Sequence, residues 1–101
     1  SLEHTGCPRF HVDQSYLRLV CTYLGPGTEW LNDSQVDRAA QRNGAANAAI
    51  ARGTESNRMG TFWVGVMKGS RYPGCSESGL VHRSPEINPG EGVRILFCLD
   101  C

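Results

Sequence analysis

The sequence predicts a mainly-β domain of the sandwich or barrel type. Three observations support this prediction. Several short segments are rich in β-branched, aromatic and aliphatic residues, turns containing glycine or proline separate them at close intervals, and only one region has helical character. A chain of 101 residues is predicted to form one domain, residues 1–101.

Six segments are predicted to be strands, because each combines strand-favouring residues with a turn signal at its end. In chain order they are 10–13, 16–24, 28–31, 61–68, 80–84 and 93–99. The residues before the first strand are predicted to be irregular. The connections include a long turn over 69–79 and a tight loop over 89–92.

Residues 34–60 interrupt the strand pattern and are predicted to be a helical and loop insertion on the β scaffold. Ser34 is a suitable N-cap, and Asn43-Gly44 is a typical stop signal. The alanine-rich segment 45–51 can add a further helical turn or two.

Composition argues against several functional classes. The net charge of zero gives no strong signal for nucleic-acid binding, and no apolar run is long enough to cross a membrane. The cysteines are five and irregularly spaced, which argues against a disulfide framework and predicts reduced thiols in a cytoplasmic protein. Cys98 and Cys101 form a C-x-x-C pair of the kind found in zinc and redox sites. Without a second pair, two incidental cysteines at a strand end are the better interpretation.

The most informative motif is His11-Val12-Asp13. Residues at i and i+2 of a strand point to the same side, so H-x-D presents an imidazole and a carboxylate to one metal ion. His82, in a later predicted strand, is the third candidate ligand. Two histidines and one carboxylate on one face of an octahedral ion leave three positions open, which is typical of non-heme iron(II) sites.

Arg94 lies in the last predicted strand, after His82. A buried guanidinium needs a partner, and a carboxylate held by two parallel hydrogen bonds is a natural one. Ordinary structural explanations also exist for each residue taken alone. Asp13 could cap a turn, His82 could be a core histidine bonded to a backbone carbonyl, and Arg94 could pair with Asp100 or Glu91. Their order along the strands favours the functional interpretation.

That order resembles the Fe(II)/2-oxoglutarate-dependent dioxygenases: H-x-D, the strand LRLVCTYLG, an insertion, a distal histidine and the strand VRILF. The resemblance implies a double-stranded β-helix, that is, a jelly-roll or cupin-like fold. It implies that iron(II) is held by His11, Asp13 and His82.

The same resemblance implies a 2-oxoglutarate site. Arg94 would bind the distal carboxylate of 2-oxoglutarate, and Tyr23, Thr28 and Trp30 would line the co-substrate pocket. Dioxygenases of this class carry strands and helices before H-x-D, whereas ten residues precede His11 here. The expectation is therefore a fold that is incomplete at its N-terminus, or one that completes its sheet by pairing with a second copy.

A closer resemblance covers most of the chain. FHVD, LRLVCTYLGPGTEWL, VDRAA and VHRSP are similar to an uncharacterised bacterial family classed as a domain of unknown function. This resemblance implies no established activity.

Three functions therefore compete. The first is an Fe(II)/2-oxoglutarate-dependent oxygenase, or a truncated relative, acting on a substrate that the sequence does not identify. The second is a cupin-like metal-binding module without redox turnover, either a sensor or a hydrolase. The third is a non-catalytic homodimeric interaction domain. Its anchors would be aromatic: Trp30, Phe62, Trp63 and Tyr72.

Overall fold

The computed structural model describes residues 2–3, 7–86 and 94–101. Its strands are β1 Leu2–Glu3, β2 Leu17–Leu24, β3 Glu29–Leu31, β4 Asn57–Arg58, β5 Val64–Lys68, β6 Val81–Arg83 and β7 Ile95–Asp100. Its helical elements are a 3-10 turn at Asp33–Gln35, α1 Arg38–Arg42 and α2 Asn47–Ile50. The mainly-β prediction is confirmed.

The strands form two antiparallel sheets. The larger sheet has the order β1-β7-β2-β5, and the smaller has the order β4-β3-β6. In the larger sheet β2 is an interior strand, because it pairs with β5 on one side and with β7 on the other. A register shift between Thr22 and Leu24 interrupts the pairing of β2 with β7.

Two apolar clusters lie on opposite faces of the smaller sheet. Val81 and Leu31 pack with residues of the insertion in one cluster. Leu80, next to β6, packs against a second cluster formed by Val20, Met67 and Leu96 of the larger sheet. Because side chains alternate along a strand, burying Val81 on one face directs His82 to the other.

The insertion predicted over 34–60 packs as an ordered part of the first cluster, with Ile50 and Val36 almost completely buried. Its helix begins later than predicted. Asp37, rather than Ser34, is the N-cap of α1, and its carboxylate accepts a hydrogen bond from the Ala40 amide at 3.1 Å. The predicted second helical turn is present as α2.

Several strand predictions need correction. The first residues are not all irregular, because β1 pairs with β7. Segment 10–13 contributes one β-bridge at His11 rather than a strand. Strand β5 begins at Val64 rather than at residue 61, because the chain turns at Phe62, whose φ is 65°. The predicted loop 89–92 lies outside the described residues.

The jelly-roll assignment stays a prediction. Among the described strands, the two sheets do not close into a barrel. The outer face of the larger sheet is apolar and open to solvent, with Val64, Val66 and Leu99 each at least half exposed.

Candidate metal site

His11 and His82 lie directly opposite each other on neighbouring chain segments. The amide of His11 donates to the carbonyl of His82 at 3.0 Å, and the amide of His82 donates back at 3.0 Å. This antiparallel bridge places both side chains on the same side, and the imidazole centroids are 4.5 Å apart. The backbone pairing therefore brings together two histidines that are far apart in the sequence.

Asp13 joins them from the position that H-x-D predicts. Its Oδ1 lies 3.5 Å from Nε2 of His11, and its Oδ2 lies 3.3 Å from Nε2 of His82. One ligand atom from each of the three residues lies within 4.8 Å of the other two. The side chains of Asp13 and His82 are 7% and 6% exposed, whereas that of His11 is 32% exposed. The structure thus brings all three predicted ligands together at the edge of the interior.

Backbone carbonyls orient both imidazoles. Nδ1 of His11 lies 2.7 Å from the carbonyl of Arg9, and Nδ1 of His82 lies 3.1 Å from the carbonyl of Leu80. A carbonyl only accepts hydrogen bonds, so each Nδ1 carries a proton. In the neutral imidazoles Nε2 then carries a lone pair, and both lone pairs face the carboxylate. A hydrogen bond from Nδ1 to a carbonyl is the arrangement that commonly orients a metal-binding histidine.

The charges around Asp13 favour the carboxylate form. Burial alone would raise the pKa of Asp13, but the imidazoles of His11 and His82 and the guanidinium of Arg18 together hold it well below its ordinary value. The carboxylate of Asp13 in turn raises the pKa of His11 above its ordinary value, although burial opposes the shift. The surroundings therefore keep Asp13 in the carboxylate form, in which it can serve as a metal ligand.

A cavity of about 200 Å³ between the two sheets begins at the two imidazoles. Its walls include Val20, Met67 and Leu96 of the second apolar cluster, together with the hydroxyl-bearing residues Thr28 and Ser84. A volume of this size is well above what a single water molecule requires. The cavity therefore has room for a small molecule bound beside the imidazoles.

Arg94 lies behind this cavity and is 1% exposed. Its guanidinium donates to Oγ of Ser84 at 2.9 Å, to Oγ1 of Thr28 at 2.9 Å and to the carbonyl of Pro26 at 2.7 Å. Thr28 and Ser84 therefore stand between Arg94 and the cavity. Of the two partners suggested for Arg94 by the sequence, Asp100 pairs with Arg18 instead, and Glu91 lies outside the described residues.

The remaining predicted pocket residues are placed elsewhere. Tyr23 is exposed on β2, where its ring centroid lies 6.1 Å from that of Phe62. Trp30 lines a separate groove of about 370 Å³ with Met67 and Leu80. Of the predicted co-substrate residues, only Thr28 lines the cavity at the imidazoles, and Arg94 reaches it through hydroxyl groups.

Sequence reasoning missed Arg18 and Asp100. Nη1 of Arg18 donates to Oδ1 of Asp13 at 2.9 Å, while Nε and Nη2 donate to the two oxygens of Asp100 at 2.6 and 2.9 Å. The sequence does contain one indication that Arg18 has a specific partner, because it is the one charged residue in β2, a mainly apolar strand. Its role depends on a strand pairing across 82 residues, which local patterns do not reveal.

Together, the fold and the cluster define a small mainly-β domain with side chains compatible with metal binding. The chain belongs to the family described as a protein of unknown function, DUF1826, which matches residues 1–100. No curated protein and no solved structure matches the chain. The predicted similarity to a family of unknown function is confirmed, whereas the dioxygenase similarity stays a prediction. In the described part of the chain, no helix is long and apolar enough to span a bilayer.

Proposed function

We propose that this chain binds a divalent metal ion through His11, Asp13 and His82. One observation carries the proposal. Oδ2 of Asp13 is buried and accepts no hydrogen bond from the described residues, although it lies 3.3 Å from Nε2 of His82. A buried carboxylate oxygen that faces a lone pair is strongly unfavourable unless a cation lies between them.

Protons satisfy this requirement less well than a metal ion does. One proton on Nε2 of His82 would satisfy Oδ2 of Asp13 but would leave the Nε2 lone pair of His11 facing Oδ1. A second proton would create two imidazolium rings whose centroids are 4.5 Å apart, and like charges at that distance repel. One dication neutralises the carboxylate and accepts both Nε2 lone pairs at the same time. The donor set of two imidazoles and one carboxylate suits iron(II) and related divalent ions.

Oxygenase activity is the chemistry that we propose for this site, and the room for a co-substrate beside the imidazoles supports it. Bound iron(II) would supply activation of dioxygen coupled to decarboxylation of 2-oxoglutarate. The chain's contribution would be to hold 2-oxoglutarate beside the imidazoles, with the hydroxyls of Thr28 and Ser84 at its carboxylate end. Arg94 donates to both hydroxyls, so it orients them and adds positive charge behind them. The apolar wall of Val20, Met67 and Leu96 would limit access of water.

A metal module without redox turnover uses the same three ligands. In that case the bond network of Arg94 is purely structural, and the cavity holds water or another small anion. The proposed oxygenase therefore requires 2-oxoglutarate to change the spectrum of the bound iron.

The deciding experiment adds iron(II) under anaerobic conditions and then 2-oxoglutarate. Metal uptake is followed by competition with a chelator, and the iron–2-oxoglutarate chelate by its visible charge-transfer band. We expect uptake by the wild type and loss of uptake in His82→Ala. Thr28→Val and Ser84→Ala should keep metal uptake but weaken the band, because they remove hydroxyls from the cavity without touching the ligands.

The outcomes separate the proposals. Absence of metal uptake by the folded wild type contradicts both metal functions. Metal uptake without the charge-transfer band would support the metal-binding module without redox turnover. A band that Thr28→Val and Ser84→Ala leave unchanged contradicts the assigned position of 2-oxoglutarate.

A second candidate function is self-association through the exposed face of the larger sheet. Among the described strands, β5 lies at an edge of the larger sheet. Four apolar residues on or next to it are each more than 60% exposed: Phe62, Trp63, Val64 and Val66. An apolar edge of this kind favours antiparallel pairing with the same strand of a second copy. Sedimentation equilibrium should show a dimer that Val66→Lys dissociates. A monomeric wild type at high protein concentration would rule out this candidate.

A further inference from the structure

We propose that Asp100 sets the metal affinity of the site by acting through Arg18. This inference depends on the proposed metal function, because it concerns the charge that the bound ion experiences. Arg18 and Asp100 are positioning residues here, since neither is among the three proposed ligands.

The three charged groups form a continuous chain. Asp100 at the end of β7 binds Arg18 through two parallel hydrogen bonds, at 2.6 and 2.9 Å. The remaining terminal nitrogen of Arg18, Nη1, reaches Oδ1 of Asp13 at 2.9 Å. Arg18 and Asp100 are directly opposite each other in the β2–β7 ladder, so the backbone register positions the pair. A planar guanidinium is the side chain that can bridge two carboxylates in this way.

Arg18 has two opposing effects on a bound cation. By engaging Oδ1 of Asp13, it leaves Oδ2 directed at His82, which is the orientation that the ion needs. Its positive charge, however, repels a dication and competes with it for the same carboxylate. Neutralising that charge without losing the orientation requires an anion on the far side of Arg18.

Asp100 is placed to be that anion. Its side chain is 50% exposed, whereas that of Asp13 is 7% exposed, so Asp100 can supply negative charge at a small desolvation cost. With Asp100 present, the net charge of the three groups is −1. Without Asp100 it is zero, and Arg18 interacts with Asp13 alone.

The test measures the Co²⁺ dissociation constant by chelator competition, together with thermal stability. Removing a buried outer partner of a metal ligand typically costs about 10- to 100-fold in affinity. Asp100 is half exposed and acts through one intermediate, so we expect Asp100→Asn to weaken Co²⁺ binding about 3- to 10-fold. Asp100→Glu is the matched control, because it retains the charge and should restore most of the affinity.

A double-mutant cycle separates this role from a merely structural one. In an Arg18→Gln background, Asp100→Asn should change the Co²⁺ dissociation constant less than about twofold, because the intermediate charge is gone. If Arg18→Gln does not fold, Arg18→Met serves as the background, because it also removes the positive charge and keeps an unbranched side chain.

Three results would overturn the inference in a wild type that binds Co²⁺. One is an unchanged affinity in Asp100→Asn, and another is an equal loss in Asp100→Glu. The third is a loss that persists undiminished in the Arg18→Gln background. A wild type that binds no Co²⁺ would instead contradict the proposed metal site itself.

Discussion

Nε2 of His82 lies 3.3 Å from Oδ2 of Asp13, while Nδ1 of the same ring lies 3.1 Å from the carbonyl oxygen of Leu80. A neutral His82 that donates from Nδ1 to Leu80 has no hydrogen on Nε2 for the carboxylate. In that form of the ring, Nε2 and Oδ2 are close enough to share a cation but cannot form a hydrogen bond with each other. The β-bridge between His11 and His82 makes this relationship part of the fold, since it fixes the positions of both imidazole-bearing residues through the backbone.

Metal binding should stabilise the fold. A ligand present at about 100 times its dissociation constant adds about 2.7 kcal/mol to the free energy of unfolding. For a domain of this size, each kcal/mol raises Tm by about 4–8 °C, so saturating Co²⁺ should raise the Tm of the wild type by about 10 °C or more. Asp13→Asn should abolish this increase and weaken Co²⁺ binding by at least about 100-fold, because it removes a ligand rather than an outer partner. Differential scanning calorimetry with and without Co²⁺ measures the effect. An equal increase in both proteins would show that the metal binds elsewhere.

Arg94 should be required for folding stability whatever ligand the cavity holds. Arg94→Leu leaves the hydroxyls of Thr28 and Ser84 and the carbonyl of Pro26 without their donor, in a position where the side chain is fully buried. We expect a loss of about 3 kcal/mol or more in the free energy of unfolding, measured by urea denaturation. Arg71→Leu is a suitable control because Arg71 is exposed, and it should cost less than about 0.5 kcal/mol. Equal effects of the two substitutions would contradict the structural role of Arg94.

Gly69 packs so closely against the backbone around Asp13 that adding one methyl group at this position should destabilise the protein. A Cβ at Gly69 would lie 2.8 Å from the carbonyl oxygen of Asp13 and would also overlap the carbonyl oxygen of Ser15. Both obstacles are backbone atoms, so relief of the overlap requires moving the segment that carries Asp13. Gly69→Ala should therefore cost about 1–3 kcal/mol and weaken Co²⁺ binding as well. Gly53→Ala, where a Cβ meets no atom within 4 Å, is the control and should leave metal affinity unchanged.

Glu29 should make stability depend on pH below neutrality. Its buried carboxylate accepts hydrogen bonds from Arg58 at 2.6 Å and Arg83 at 2.7 Å. Burial raises the pKa of Glu29, but the two guanidinium groups together lower it below its ordinary value of 4.5. A folded-state pKa below the unfolded one means that the stabilisation is fully present above pH 4.5. It is lost as the pH falls through the folded value.

Glu29→Gln should therefore destabilise the protein by about 3 kcal/mol at pH 7, and the difference from the wild type should shrink as the medium is acidified below pH 4.5. Urea denaturation at neutral and acidic pH measures both differences. If the difference in the free energy of unfolding between the two proteins does not change with pH, the stabilisation does not come from the Glu29 carboxylate.

The sequence by itself determined the features that depend on short-range spacing. Strand-favouring segments and turn residues predicted the mainly-β class, and the i, i+2 spacing of His11 and Asp13 predicted that their side chains meet. These inferences succeed because side-chain direction within a segment follows from backbone geometry alone. The N-cap was misplaced at Ser34 because two capping residues, Ser34 and Asp37, lie one turn apart, and packing of Val36 and Ile50 favours the second.

Tertiary structure decided which distant residues share the site. The pairing of His82 with His11 and of Asp100 with Arg18 depends on the register between segments that are distant in the sequence. Register is specified by packing one face of each strand into the interior. The same packing put Tyr23 on the solvent side and placed Thr28 between Arg94 and the cavity. The residue types of the proposed ligands were thus readable in the sequence, whereas the charge environment that would tune a bound ion arises only in the folded chain. The reason is that Coulomb interactions depend on distances in space and on burial, and both are properties of the tertiary structure.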